Sequence, residues 1–127
     1  MSEHRKKVLI IDDDELIREI VKLALSHSDF EAATLESPGL ALTVIKRSRP
    51  DLILMDIYMP ELNGLELCRM LKSDPQTRSI PIIIFTGSGE TVDVMGGADA
   101  GAVDYITKPV APQVLVDKIR KVLRIGA

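Results

Sequence analysis

Short runs of consecutive apolar residues alternate along this chain with longer segments in which apolar residues recur every three or four positions. The short runs are typical of strands buried on both faces of a sheet, and the longer periodicity is typical of amphipathic helices. Strands are predicted at residues 7–11, 30–35, 51–55, 80–85 and 103–107, and helices at residues 15–25, 37–47, 63–73, within 90–100, and at 111–124. In the fourth helix, Gly96 and Gly97 each cost about 1 kcal/mol relative to alanine.

Five strands that are each followed by a helix predict a parallel sheet covered on both faces, which is an α/β doubly wound fold. The chain is long enough for one hydrophobic core and too short for two comfortable domains. We expect residues 1–127 to form this single domain, with residues 1–6 as a flexible N-terminal lead.

Composition excludes several classes of function. A net charge of −3 and scattered Lys and Arg residues leave no basic surface for nucleic acid. No apolar run is long enough for a signal peptide or a membrane span, so we expect a cytoplasmic protein without membrane contact. The single cysteine, Cys68, excludes an internal disulfide, and the scarcity of aromatic residues argues against a flavin pocket.

Polar residues follow four of the five predicted strands. They are Asp12, Asp13 and Asp14 after the first strand, Asp56 after the third, Thr86 after the fourth and Lys108 after the fifth. The carboxyl ends of parallel strands lie at one edge of a sheet, where α/β proteins bind their ligands. We therefore expect the carboxylates to converge in one pocket, although Asp14 and Glu15 are also typical of a helix N-cap and first turn.

Clustered carboxylates repel one another unless a cation joins them, and Mg²⁺ prefers a small set of oxygen ligands of this kind. We expect Mg²⁺, with Mn²⁺ as a substitute, and a second positive charge from Lys108. One carboxylate in such a site can attack phosphorus, and the Thr86 hydroxyl and the amides of Gly87 and Ser88 can then bind the transferred group. The pattern predicts a site that accepts a phosphoryl group.

These residues resemble the receiver domain of two-component response regulators over nearly the whole chain. The resemblance is carried by "KVLIIDDDE", by the strand-end residues, by the Lys108-Pro109 pair and above all by "MDIYMPELNGLEL" at residues 55–67. It implies a flavodoxin-like fold with strand order 2-1-3-4-5. It also implies that a sensor histidine kinase or a histidine phosphotransfer protein donates the phosphoryl group, that a downstream effector protein responds, and that the chain is a monomer or weak dimer.

The resemblance also implies a role for each site residue. Asp56 is the phosphoacceptor, and Thr86 and Lys108 act with it. The metal is held by Asp13, Asp56 and the backbone carbonyl of Tyr58, with Asp12 acting through water. The switch is formed by Thr86 and Tyr105. Such a receiver assists its own phosphorylation and dephosphorylation but is not an enzyme in the usual sense. Gly87, Val110 and the glycine-rich fourth helix depart from the family pattern near the usual output face.

Two alternatives stay open. A phosphohydrolase of the haloacid dehalogenase type also uses a strand-end aspartate with Mg²⁺, but it needs a second aspartate where this chain has Tyr58. A receiver-like adaptor would act through protein contacts without phosphorylation. The segment "TGSGE" at residues 86–90 matches neither a dinucleotide fingerprint nor a P-loop. We expect a stand-alone receiver, although the sequence leaves open whether it is part of a longer protein.

Overall fold

The computed structural model describes residues 5–35, 38–61, 63–87 and 91–125. The strands are β1 (Lys7–Ile11), β2 (Glu31–Leu35), β3 (Leu52–Met55), β4 (Ile82–Thr86) and β5 (Asp104–Thr107). The helices are α1 (Glu15–Ser26), α2 (Ala41–Ser48), α3 (Gly64–Ser73), α4 (Thr91–Ala100) and α5 (Pro112–Leu123). Ser88, whose amide is predicted to bind the transferred group, lies outside the described residues, as does residue 37, where the second helix is predicted to begin.

All five strands pair in parallel, in the order β2-β1-β3-β4-β5. This order confirms the predicted doubly wound α/β fold. Two boundaries differ from the prediction by more than one residue. The second helix begins at Ala41 rather than at residue 37, because a 3₁₀ turn at Pro38–Leu40 precedes it. Strand β4 begins at Ile82 rather than at residue 80, because the Ile80 amide donates to the Thr77 carbonyl in a turn and Pro81 has no amide hydrogen.

Alternation along the strands sends side chains to two opposite faces of the sheet. On one face, strand residues pack against α1 and α5; among them are Val8, Ile10, Leu52, Leu54, Ile83, Phe85 and Ile106. On the other face, strand residues pack against α2, α3 and α4; among them are Leu9, Ile11, Ile53, Met55, Ile82 and Ile84. The strands are thus covered on both sides, which explains their continuous apolar sequences.

The N-terminal lead is described from Arg5 onward. The Arg5 Nε atom lies 3.3 Å from Asp29 Oδ1, and the Lys6 carbonyl accepts a 2.9 Å hydrogen bond from the Glu31 amide. Residues 1–4 lie outside the described part of the chain. Within the described ranges, no helix combines the length and apolar character that a membrane span requires.

Candidate functional site

Three carboxylates meet at the carboxyl ends of β1 and β3. In the parallel register Ile11 pairs with Met55, and the Asp56 amide donates a 3.0 Å hydrogen bond to the Ile11 carbonyl. One oxygen from each of Asp12, Asp13 and Asp56 lies within 4.8 Å of the others. Asp12 and Asp56 are only 1% and 8% exposed, whereas Asp13 is exposed at the rim. The predicted convergence of the acidic residues is confirmed.

The third aspartate of the triplet, Asp14, serves the helix instead. Its side chain accepts hydrogen bonds from the amides of Leu16 at 3.0 Å and Ile17 at 3.4 Å, so it is the N-cap of α1. The Asp14 amide in turn donates to Asp12 Oδ1 at 2.9 Å. The guanidinium of Arg18 donates to the Asp12 carbonyl at 2.8 Å. Thus the first turn of α1 fixes the orientation of Asp12.

Lys108 brings a positive charge between two of the carboxylates. Its amide donates to the Thr86 carbonyl at 2.8 Å, which anchors the residue at the end of the sheet. Its Nζ atom lies 2.5 Å from Asp12 Oδ2 and 3.6 Å from Asp56 Oδ2, and its side chain is 14% exposed. The ammonium therefore partly neutralises the acidic pocket and is bonded to Asp12 in preference to Asp56.

The carboxylate of Asp56 has a contact on each oxygen. Oδ1 accepts a 2.8 Å hydrogen bond from the Ile57 amide, and Oδ2 faces the ammonium of Lys108. Burial raises the pKa of Asp56, and the neighbouring charge of Asp12 adds to the rise; hydrogen bonds from Thr86 and Ile57 and the charge of Lys108 oppose it. The net result is a carboxyl group that holds a proton more tightly than an ordinary aspartate.

Thr86, the last residue of β4, contacts the pocket and shares a face of the sheet with Tyr105. It is 2% exposed, and its hydroxyl is hydrogen bonded to Asp56. Tyr105 lies on the neighbouring strand opposite Ile84 and packs, half-buried, against the core under α2, α3 and α4. Because Ile84 and Thr86 are two positions apart on β4, Thr86 and Tyr105 share one face of the sheet. Their predicted switch role stays a prediction.

Tyr58 lies at the rim of the site, two residues after Asp56. Its side chain is 57% exposed and borders an open pocket of about 350 Å³ that Asp13 and Asn63 also line. The candidate metal ligands are the three carboxylates and the Tyr58 carbonyl, all of them oxygen donors. This donor set fits Mg²⁺ or Mn²⁺, which prefer oxygen, and does not resemble the nitrogen and sulfur sets of structural zinc sites.

The start of α3 packs directly onto the loop that carries Asp56. The Gly64 amide donates a 2.6 Å hydrogen bond to the Ile57 carbonyl, and a Cβ atom at Gly64 would lie 3.0 Å from Ile57 Cα. This glycine belongs to the motif at residues 55–67, but the motif alone does not predict its close approach to the loop. Asn63 before it caps α3 by accepting a hydrogen bond from the Leu65 amide at 2.7 Å, so it indicates where the helix begins but not the close approach.

Comparison with known proteins identifies many similar chains. The model of the response regulator receiver domain matches residues 8–120. The DNA-binding response regulator MtrA of Mycobacterium tuberculosis is 38% identical over 124 residues, which cover 98% of this chain and 53% of MtrA. The phosphate regulon transcriptional regulatory protein PhoB of Pseudomonas aeruginosa is 44% identical over 119 residues, covering 94% of this chain and 52% of PhoB. The chain thus spans about half the length of these curated relatives.

Solved structures agree with the sequence comparisons. A putative response regulator from Chloroflexus aurantiacus superposes with a TM-score of 0.91 at 32% identity, covering 96% of this chain and all of the other. The receiver domain of a signal transduction histidine kinase from Syntrophus aciditrophicus gives a TM-score of 0.85 at 34% identity, covering 94% of this chain and 90% of the other. The fold and the family are therefore supported by the family model, by the similar sequences and by the solved structures.

Proposed function

The chain belongs to the response regulator receiver domain family, whose members are phosphorylatable signalling switches, and we propose that Asp56 is the residue that accepts the phosphoryl group here. The observation that carries the proposal is the position of the Asp56 carboxylate. It lies at the carboxyl end of β3, largely buried, among two further carboxylates and the ammonium of Lys108.

In the proposed reaction, a carboxylate oxygen of Asp56 attacks the phosphorus of a phosphohistidine. An acyl phosphate bond forms, the P–N bond breaks, and the histidine leaves with its electron pair and takes up a proton. The Ile57 amide donates to Oδ1 and so orients the carboxylate. Burial raises the pKa of Asp56, which makes the ionised carboxylate more basic and therefore a better nucleophile.

Two further side chains bind the transferred group. Lys108 Nζ lies 3.6 Å from Asp56 Oδ2 and can pair with a phosphoryl oxygen on that atom once it moves away from Asp12. The Thr86 hydroxyl is hydrogen bonded to Asp56 and can donate to a second phosphoryl oxygen after transfer. A Mg²⁺ ion, held by Asp13, Asp56 and the Tyr58 carbonyl with Asp12 through water, would supply positive charge that offsets the charge on the transferring oxygens.

Phosphorylation transmits the signal by shifting the populations of two conformations of the domain. Thr86 shares a face of the sheet with Tyr105, so a shift of Thr86 towards the phosphoryl group alters the space available to the Tyr105 ring. A downstream effector that prefers the phosphorylated conformation then binds. The phosphodonor is a sensor histidine kinase or a histidine phosphotransfer protein, and the domain is consumed as an acceptor rather than acting as an enzyme in the usual sense.

Intact-mass spectrometry after incubation with acetyl phosphate, with and without Mg²⁺, tests the proposal. We expect one Mg²⁺-dependent phosphoryl adduct on the parent chain, lost in Asp56→Asn. Asp14→Asn is the matched control, because asparagine also caps helices and the adduct should persist. Folded protein that takes no phosphoryl group from acetyl phosphate or phosphoramidate would favour the adaptor. Repeated turnover of a phosphomonoester would favour the phosphohydrolase.

A further inference from the structure

The ammonium of Lys108 lies against an aromatic ring as well as against the carboxylates. Lys108 Nζ is 5.3 Å from the centroid of the Phe85 ring, within the range of a cation–π interaction. Phe85 is 4% exposed, and the Lys108 side chain is 14% exposed. Water therefore screens this contact little, and a contact of this kind is stronger when desolvated.

The strands place the ring and the ammonium on the same face of the sheet. Phe85 pairs with Ile106 in the parallel register, and both pack against α1 and α5. Lys108 is two positions beyond Ile106, so alternation points its side chain towards this face as well. Phe85 directly precedes Thr86, so the ring is fixed by the same strand that delivers the Thr86 hydroxyl to the pocket.

We propose that Phe85 is a positioning residue for phosphoryl transfer to Asp56, holding the Lys108 ammonium over the gap between Asp12 and Asp56. This inference rests on the proposed function. In the present structure Nζ is bonded to Asp12 at 2.5 Å and stands 3.6 Å from Asp56. To pair with a phosphoryl group on Asp56, the ammonium must move away from Asp12.

The ring face suits this movement because it attracts a cation anywhere over the ring within about 6 Å of the centroid, whereas a hydrogen bond to one carboxylate oxygen requires a narrow range of distance and angle. Phe85 therefore keeps the ammonium desolvated and near Asp56 when Asp12 engages another group. A leucine at this position would fill much of the same space without the negative face of the ring. Phe85→Leu therefore removes the electrostatic role of the ring and keeps most of its contribution to packing.

The first test compares Phe85→Leu with Phe30→Leu. Phe30 is a matched control because it is 2% exposed, packs in the same core, and has the Arg120 guanidinium 6.0 Å from its ring centroid, away from the acidic pocket. We expect Phe85→Leu to slow phosphorylation by acetyl phosphate at saturating Mg²⁺ by about three- to tenfold. Phe30→Leu should remain within about twofold of the parent. Equal rates for the two variants would overturn the proposal.

The second test asks whether the ring acts through Lys108. In a Lys108→Gln background, Phe85→Leu should cause no further slowing, because the cation is already absent. A full slowing in that background would overturn the inference. Should Phe85→Leu fail to fold, 3,4,5-trifluorophenylalanine at position 85 keeps the shape of the ring and weakens its negative face, and it should slow the reaction in the same direction.

A spectroscopic readout separates failure of this inference from failure of the proposed function. In protein labelled with ¹³C-lysine, the Lys108 methylene signals should carry a ring-current shift that Phe85→Leu removes and Phe30→Leu leaves in place. Lys108→Gln assigns the signals. If the parent takes no phosphoryl group, the proposed function fails whatever the spectrum shows. If the parent is phosphorylated but the Lys108 signals do not move in Phe85→Leu, only the positioning role is overturned.

Discussion

A single methyl group added at Gly64 should disturb the loop that carries Asp56. A Cβ atom there would lie 2.9 Å from the Asp56 carbonyl carbon and 3.0 Å from Ile57 Cα, and closer still to the Asp56 carbonyl oxygen. All three are backbone atoms. Their positions are fixed by the hydrogen bond from the Asp56 amide to Ile11 and by that from the Gly64 amide to Ile57. No side-chain rotation can therefore relieve the overlap.

The loop and the start of α3 would have to separate by on the order of 1 Å to restore ordinary contact. Overpacking of this kind costs about 1–3 kcal/mol, and a clash between backbone segments belongs at the upper end. We expect Gly64→Ala to lower the free energy of unfolding by about 3 kcal/mol and the Tm by about 10 °C. Because the loop carries Asp56 and Tyr58, we also expect weaker Mg²⁺ binding.

Urea unfolding followed by circular dichroism measures the first effect, and titration calorimetry with Mg²⁺ measures the second. Gly87→Ala is the matched control: among the described residues, nothing lies within 4 Å of a Cβ atom there, so its unfolding free energy should stay within about 0.5 kcal/mol of the parent. If Gly64→Ala were as stable as Gly87→Ala and bound Mg²⁺ equally well, the argument from close backbone approach would be refuted.

Three further variants test other parts of the structure. The folded state raises the pKa of Asp56, so protonation of this side chain stabilises the fold below the ordinary pKa of 3.8, and that stabilisation is lost as the pH rises through the raised pKa. Asp56→Asn should therefore raise the Tm at pH 7. A gain in Tm that did not shrink in acid would contradict this explanation. Tyr58→Asn should shorten the lifetime of the phosphorylated protein severalfold, if the exposed ring restricts the hydrolytic water; an unchanged decay by mass spectrometry would exclude that role. Gly96→Ala should raise the free energy of unfolding, measured in urea, by about 0.5–1 kcal/mol, because alanine favours the helix more than glycine does and its methyl group meets only the tip of Leu65, at 3.1 Å. A loss of stability would show that this tip cannot move.

The sequence alone determined the order of strands and helices and the edge at which the polar residues collect. Both follow from local regularities: a buried parallel strand is apolar at every position, and the residue after each strand marks its carboxyl end. For this reason Asp12, Asp56 and Lys108 could be assigned to one pocket before any contact was known. The strand order itself came from the family resemblance, because apolar runs do not state which strands are neighbours.

Only the tertiary structure decided which contacts each site residue makes. The aspartate triplet reads as three similar residues, yet Asp14 caps α1 while Asp12 binds Lys108, a residue 96 positions away in the chain. The ring of Phe85 beneath the ammonium is likewise a product of packing, as is the burial that raises the pKa of Asp56. A sequence pattern records which side chains leave the sheet together, whereas distance, burial and charge depend on how distant segments fold against one another.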